Sequence, residues 1–145
     1  MLKILKKIFS ILFDQERRRA ERIPCKIRAH FAMIDKNRDD RGEGTITDIT
    51  LDGFCCDDMH FFRHDPNFAF KINHALTMYF TLPIRENLKT NFEVVGKIRS
   101  IMEKDKFGHS KRFGIRIYHI KKGSRKEFQK CFAYIKTLAK NNTPY

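Results

Sequence analysis

The sequence predicts a mainly β fold: six antiparallel strands closed into a barrel, one C-terminal α-helix, and an extra amphipathic helix at the N-terminus. Three observations carry this expectation. Segments rich in β-branched and aromatic residues recur along the chain, the first of them alternating between apolar residues and Lys26, Arg28 and His30. Polar clusters with Gly, Pro or Asn punctuate them at short spacing. After the last such segment a single stretch changes to helical periodicity.

Each element has its own signal. Residues 2–13 (LKILKKIFSILF) place Leu2, Leu5, Ile8, Phe9 and Leu12 at helical spacing, with lysines beside them. Residues 14–22 (DQERRRAER) form a charged connector, and Ile23-Pro24 stops any helix that tries to continue. In Ile23–Ile34, Ile23, Cys25, Ile27, Ala29, Phe31 and Met33 alternate with polar residues, the period of a half-buried antiparallel strand. Asp35–Gly44 reads as a polar turn ending in Gly-Glu-Gly, and Thr45–Thr50 and Phe54–Cys56 as short strands around a bend at Asp52-Gly53. Asp57–Asn73 reads as a loop with a helical turn. Ala75–Leu82 is a strand closed by Pro83, followed by a turn at Arg85–Thr90 and a long strand at Phe92–Met102. A charged turn over Lys104–Lys111 leads to the strand Arg112–Ile120. Ser124–Lys140 is an amphipathic helix with Ser124 as N-cap and Phe128, Cys131, Phe132, Ile135 and Leu138 on one stripe. The expected organisation is therefore helix and connector over 1–16, barrel and C-terminal helix over 17–140, and a tail over 141–145.

At 145 residues the chain is one ordinary domain, long enough for a core without disulfides or metal. Its net charge of +13 is unevenly placed: residues 1–22 carry +4, residues 23–96 carry −2 and residues 97–145 carry +11. Such asymmetry points to an anionic partner. The four cysteines (Cys25, Cys55, Cys56 and Cys131) show no Cys-x-x-Cys spacing, which fits a reducing compartment and a cytoplasmic protein. The apolar run near the N-terminus lacks a cleavage site and is too short to cross a membrane, which takes about 20 residues.

Two short motifs carry the functional reading. Arg18 and Arg22 stand four residues apart before the first strand, and Asp48-x-Thr50-x-x-Gly53 sits at the junction of the next two. In order and spacing this pair resembles the PilZ family, with its Arg-x-x-x-Arg and later Asp/Asn-x-Ser-x-x-Gly. The resemblance extends through Val95-Gly96-Lys97-Ile98, the run Arg112–Ile117 and the C-terminal helix, over roughly residues 17–140. It implies a barrel that binds cyclic di-GMP in bacterial second-messenger signalling, a receptor without catalysis, cofactor or metal. The implied ligand residues are Arg17, Arg18, Arg22, Asp48, Thr50 and Gly53. In PilZ proteins the position of Arg17 influences whether one ligand or a stacked pair binds, and a basic residue is compatible with the pair. Thr50 stands where Ser is commoner and keeps the hydroxyl. Phe54 stands where a second Gly is frequent.

The chemistry is coherent without the family. A guanidinium fork grips a phosphate, stacks on a purine, or donates to guanine O6 and N7. Asp48 accepts from the guanine edge, Thr50 offers a hydroxyl to phosphate or ribose or ties the turn, and Gly53 allows positive φ and close backbone approach.

Other readings are weaker. Cys55, Cys56, Asp57, Asp58, His60 and His64 resemble a metal cluster in composition, but adjacent strand residues face opposite ways, so Cys55 and Cys56 cannot both be ligands. No phosphate loop, His-Glu-x-x-His or Gly-x-Ser-x-Gly supports an enzyme. The principal alternative is a basic nucleic-acid-binding barrel using residues 97–140 with Phe107, Phe113 and Tyr118. It ranks lower because Phe113 alternates with Ile115 and Ile117, a core pattern. The Leu2–Phe13 helix suits docking on a downstream protein partner or a membrane surface.

Overall fold

The computed structural model describes residue 4 and residues 21–34, 40–63, 68–108 and 110–145. The expected N-terminal helix, with Arg17 and Arg18, lies outside these residues apart from Ile4. Six strands follow in order: β1 (Ile23–Met33), β2 (Arg41–Ile49), β3 (Gly53–Phe61), β4 (Ala75–Arg85), β5 (Leu88–Glu103) and β6 (Lys111–Lys122). They close in the order β1-β2-β3-β6-β5-β4, every pairing antiparallel. The barrel is thus two three-stranded meanders, β1-β2-β3 and β4-β5-β6, joined at two seams. One seam pairs Gly53–Asp57 of β3 with Arg112–Arg116 of β6. The other pairs only His30–Met33 of β1 with Leu76–Tyr79 of β4.

The helix α1 (Arg125–Lys140) packs on β4 and β1. Ser124 caps it by accepting from the Glu127 amide at 3.0 Å. Phe128, Cys131, Phe132 and Ile135 are buried as the stripe requires. Aromatic rings link this helix to the interior: Phe54 meets Phe80, Phe80 stacks on Phe92, and Phe92 meets Phe128 edge-on at 5.7 Å. Phe54, the departure from a second glycine, is therefore a core residue, 2% exposed.

Three sequence expectations need correction. Arg41–Gly44 belong to β2 rather than to a turn. Gly42 and Gly44 serve packing, because a Cβ on Gly42 would lie 2.1 Å from the His60 carbonyl oxygen, and one on Gly44 would lie 2.8 Å from Cys56 Sγ. Asp57–Phe61 continue β3 instead of opening a loop; Asp57 is satisfied by cations from distant segments, and a bulge with Asp58 at φ 56° absorbs the irregularity. Among the described residues of 62–74 the local feature is a turn, with His74 N donating to the Lys71 carbonyl. Finally β4 does not end before Pro83: Pro83 pairs with Lys89, beyond the reach of the β1 contact, and the hairpin turns at Glu86-Asn87 with Asn87 at φ 61°.

Candidate functional site

The site is built where β2 bends into β3. Register places Pro24 of β1 opposite Asp48, and Asp48 opposite Cys55 of β3. Arg22, immediately before β1, therefore comes alongside the end of β2. Beyond Ile49, Thr50 N donates to the Gly53 carbonyl at 2.9 Å, and the Thr50 hydroxyl lies 3.2 Å from that same oxygen and 3.1 Å from Asp52 Oδ1. Asp52 N approaches the hydroxyl at 3.4 Å. Thr50 thus ties the turn in this structure. The turn is also bonded to β6, because Ile117 N donates to the Asp52 carbonyl at 2.9 Å.

Gly53 begins β3 without positive φ, which corrects one of the two roles expected of it. The other role holds. A Cβ there would lie 2.2 Å from the Ile115 carbonyl oxygen, so only glycine lets β3 approach β6 this closely.

Asp48, like its neighbour Thr47, carries a buried side-chain oxygen, in its case Oδ1, without a hydrogen-bond partner among the described residues. A buried carboxylate oxygen without a donor is costly, so such atoms commonly mark a place where a ligand or water supplies the donor. The electrostatic surroundings are mixed. Burial pushes the Cys55 thiol up to about 11, reinforced by the charge of Asp48 and its hydrogen bond, while Arg22 and Arg112 act in the opposite sense. Cys25 is pushed up to about 12, by burial first and then by Asp48. Both thiols are therefore neutral near pH 7.

Arg22 is exposed and makes no ion pair among the described residues. Its neighbour Glu21 is bonded to Lys136 of α1 at 2.6 Å, so the helix holds the approach to the site. The structure brings Arg22, Asp48, Thr50 and Gly53 to one end of the barrel. A cleft of about 870 Å³ runs along Lys26, Arg28, Tyr79, Phe92 and Lys122 and includes none of the four.

One charged cluster escaped sequence reading. Asp57, 3% exposed, accepts from Lys104 Nζ at 2.7 Å, Arg112 Nε at 2.8 Å and Arg112 Nη2 at 3.1 Å. The Arg112 hydrogen bonds, outweighing burial and aided by Lys104, hold its carboxyl below the usual aspartate range. Its partners lie 55 and 47 residues away in sequence, so no local pattern signals them. Cys56 is wholly buried core and its neighbour Asp57 is engaged by these cations, so neither is free for the metal cluster weighed above. Of the three aromatics in the nucleic-acid alternative, Phe113 is core while Phe107 and Tyr118 are exposed.

No protein-family model and no curated protein sequence matches this chain. Solved structures do match its shape. The inhibitor of motility MotI/DgrA of Bacillus subtilis superposes with a TM-score of 0.61 at 14% identity, over 86% of this chain and 52% of that one. This chain thus spans about half the length of that protein. The PilZ domain of YcgR from Escherichia coli, solved with c-di-GMP, superposes with a TM-score of 0.55, also at 14% identity, over 87% of this chain and 97% of that one. At such identity the likeness shows the fold. It is a PilZ-like barrel: six antiparallel strands in a closed barrel with one C-terminal helix packed on it.

Proposed function

We propose that this chain is a cyclic di-GMP receptor of a bacterial cytoplasm, an adaptor that changes its contacts on binding and catalyses nothing. The observation that carries the reading is Asp48, half-buried, with one oxygen, Oδ1, buried and unpartnered among the described residues, beside an exposed arginine and a fixed turn, on a PilZ-like barrel. Guanine supplies the missing donors through its N1–H and N2–H edge, and Arg22, with Arg17 and Arg18 of the same arm, grips phosphate or stacks on the base. Gly53 lets β3 lie close against β6 beside the bend, and Thr50 holds the turn or, on rotating its hydroxyl, reaches a phosphate.

The reading extends to the N-terminal arm. The connector 14–22 closes on the ligand through its arginines, and the Leu2–Phe13 stripe changes what it touches, a protein partner before a membrane surface. Among the described residues no helix is long and apolar enough to cross a membrane.

Calorimetric titration with cyclic di-GMP tests the reading and gives stoichiometry. Wild type binds cyclic di-GMP in preference to cyclic di-AMP, and Asp48→Ala loses that preference. Absence of heat with the wild-type chain would end it. Salt separates the receptor from the nucleic-acid alternative. Two phosphates release few counterions, so affinity declines gently with salt, whereas oligonucleotide binding across residues 97–140 would decline steeply. Tight, salt-steep oligonucleotide binding without a response to cyclic di-GMP would favour the alternative.

A further inference from the structure

We propose that Lys97, Arg99 and Arg116 form a phosphate-binding shelf on the outer face of β5 and β6. Resting on the receptor reading above, it takes a phosphate of the nucleotide seated at the β2–β3 bend.

The argument begins from a placement that ought to be unfavourable. Lys97 of β5 and Arg116 of β6 are directly opposite one another in the antiparallel ladder, and both are half-buried. Like charges directly across a strand pair destabilise it. Arg99, two residues along β5, adds a third cation. Among the described residues no carboxylate pairs with any of the three. Elsewhere on the same barrel a partner is provided, as for Arg112 and Lys104 on Asp57 and for Arg28 on Glu43.

What the three cations share instead is one aromatic ring. Lys97 Nζ lies 4.9 Å and Arg116 Cζ 5.6 Å from the centroid of Tyr118. Arg99 Nη1 donates to the Tyr118 hydroxyl at 3.4 Å and to Asn73 Oδ1 at 3.3 Å. A neutral ring and a neutral amide orient the cations and cancel none of their charge. The result is a pre-aimed cationic cluster that no carboxylate of the described residues neutralises.

Its position gives the anion's source. The register runs Gly53, Arg116, Lys97, Ala75 across β3, β6, β5 and β4. Two cations are thus flanked by Gly53 and Ala75, neither of which carries a long side chain. Gly53 is the last residue of the proposed nucleotide site, and Arg116 is one strand away, about 4.8 Å. The bend cannot drift from this shelf, because Ile117 N holds the Asp52 carbonyl. A nucleotide lying on the bend therefore reaches Arg116 first and Lys97 next.

Two measurements test the shelf, with Lys97→Gln/Arg116→Gln as the variant. Lys126→Gln/Lys130→Gln, on the exposed side of α1, removes the same charge elsewhere and is the control. In cyclic di-GMP titrations the shelf variant binds at least ~10-fold more weakly than wild type and the control within ~2-fold, a gap set by charge-assisted hydrogen bonds. Wild-type affinity in the shelf variant, with binding lost in Arg22→Ala, would overturn the shelf and leave the receptor reading intact. In the second measurement inorganic pyrophosphate is added and thermal unfolding followed. Pyrophosphate raises the Tm of wild type and control but not of the shelf variant, and an equal rise in all three overturns the shelf. Without any anion the shelf variant unfolds above wild type, since its repulsion is gone; a lower Tm also counts against the proposal. A pyrophosphate response confined to the shelf, with no uptake of cyclic di-GMP, overturns the receptor reading and supports the phosphate site.

Discussion

Asp48 and Asp57 lie on adjacent strands of one barrel, and the structure treats them oppositely. Asp57 is enclosed and fully answered: three donor contacts from Lys104 and Arg112, and a carboxyl held below its usual range. Asp48 has a buried oxygen that nothing described in the chain answers. The two carboxylates separate two uses of the same chemical group. A satisfied one locks a seam between meanders, and one with an unanswered oxygen is, on the proposed reading, the place where a ligand's donor would bind.

The sharpest way to break this contrast is to remove each carboxylate in turn. Asp57→Ala leaves Lys104 and Arg112 facing each other without their anion. Breaking a buried pair costs about 3–5 kcal/mol, and because both cation side chains keep roughly a third of their surface in water we expect the lower part of that range. Urea unfolding measures it, and a loss under about 1 kcal/mol would show that Asp57 is not the clamp. Asp48→Ala takes the opposite course. Stability stays within about 1 kcal/mol of wild type or rises, because an unsatisfied acceptor has gone. Its cyclic di-GMP affinity falls by roughly tenfold to a hundredfold, the equivalent of ~1.5–3 kcal/mol. Arg22→Ala should match that loss of affinity without loss of fold, and unchanged binding in both variants would remove the site.

Acid titration sharpens the contrast further. The folded-state pKa of Asp57 is depressed, so its contribution to stability is complete above the unfolded aspartate value of about 3.9 and is lost as pH falls through the lower, folded value. Wild type therefore shows an acid-induced loss of stability below pH ~4 that Asp57→Asn lacks. Parallel stability curves for the two proteins from pH 6 to 2 would contradict this.

The smallest effect concerns the helix. Lys136 reaches Glu21, one residue before Arg22, at 2.6 Å, and both side chains are partly exposed. Exposed pairs contribute about 0.2–1 kcal/mol, so Lys136→Ala should weaken cyclic di-GMP binding by no more than ~5-fold. A larger loss would mean that the helix organises the arginine arm more firmly than one surface ion pair allows.

The parts of this molecule legible in its sequence are those governed by local periodicity. The first strand, the long fifth strand, the sixth and the helix with its Ser124 cap follow from spacing alone. The start of β2 and the end of β3 did not. Gly42 and Gly44 look like turn residues, but they are small because His60 and Cys56 fill the space a side chain would need. Asp57 looks like a loop residue because its partners are far away in sequence. The same holds for the site. The motif residues Arg22, Asp48, Thr50 and Gly53 could be named from the resemblance to the PilZ motifs, and the structure brings them to one end of the barrel. That one oxygen of Asp48 is buried without a partner among the described residues depends on the Pro24–Asp48–Cys55 register, which no single segment encodes. The Lys97–Arg116 opposition is likewise a property of two strands aligned.

The division into two meanders also has a consequence in time. Each meander is made of hairpins between neighbours in sequence, but β3 joins β6 across some sixty positions and β1 joins β4 across nearly fifty. Closing such long loops is entropically slow, and chains dominated by non-local pairing fold in milliseconds to seconds. The turn at Asp52-Gly53 is complete only when β6 arrives to hold it. A newly synthesised chain would therefore have its arginine arm and its Asp48 strand long before it could respond to any ligand. Competence would switch on with the last strand, as a late and cooperative event.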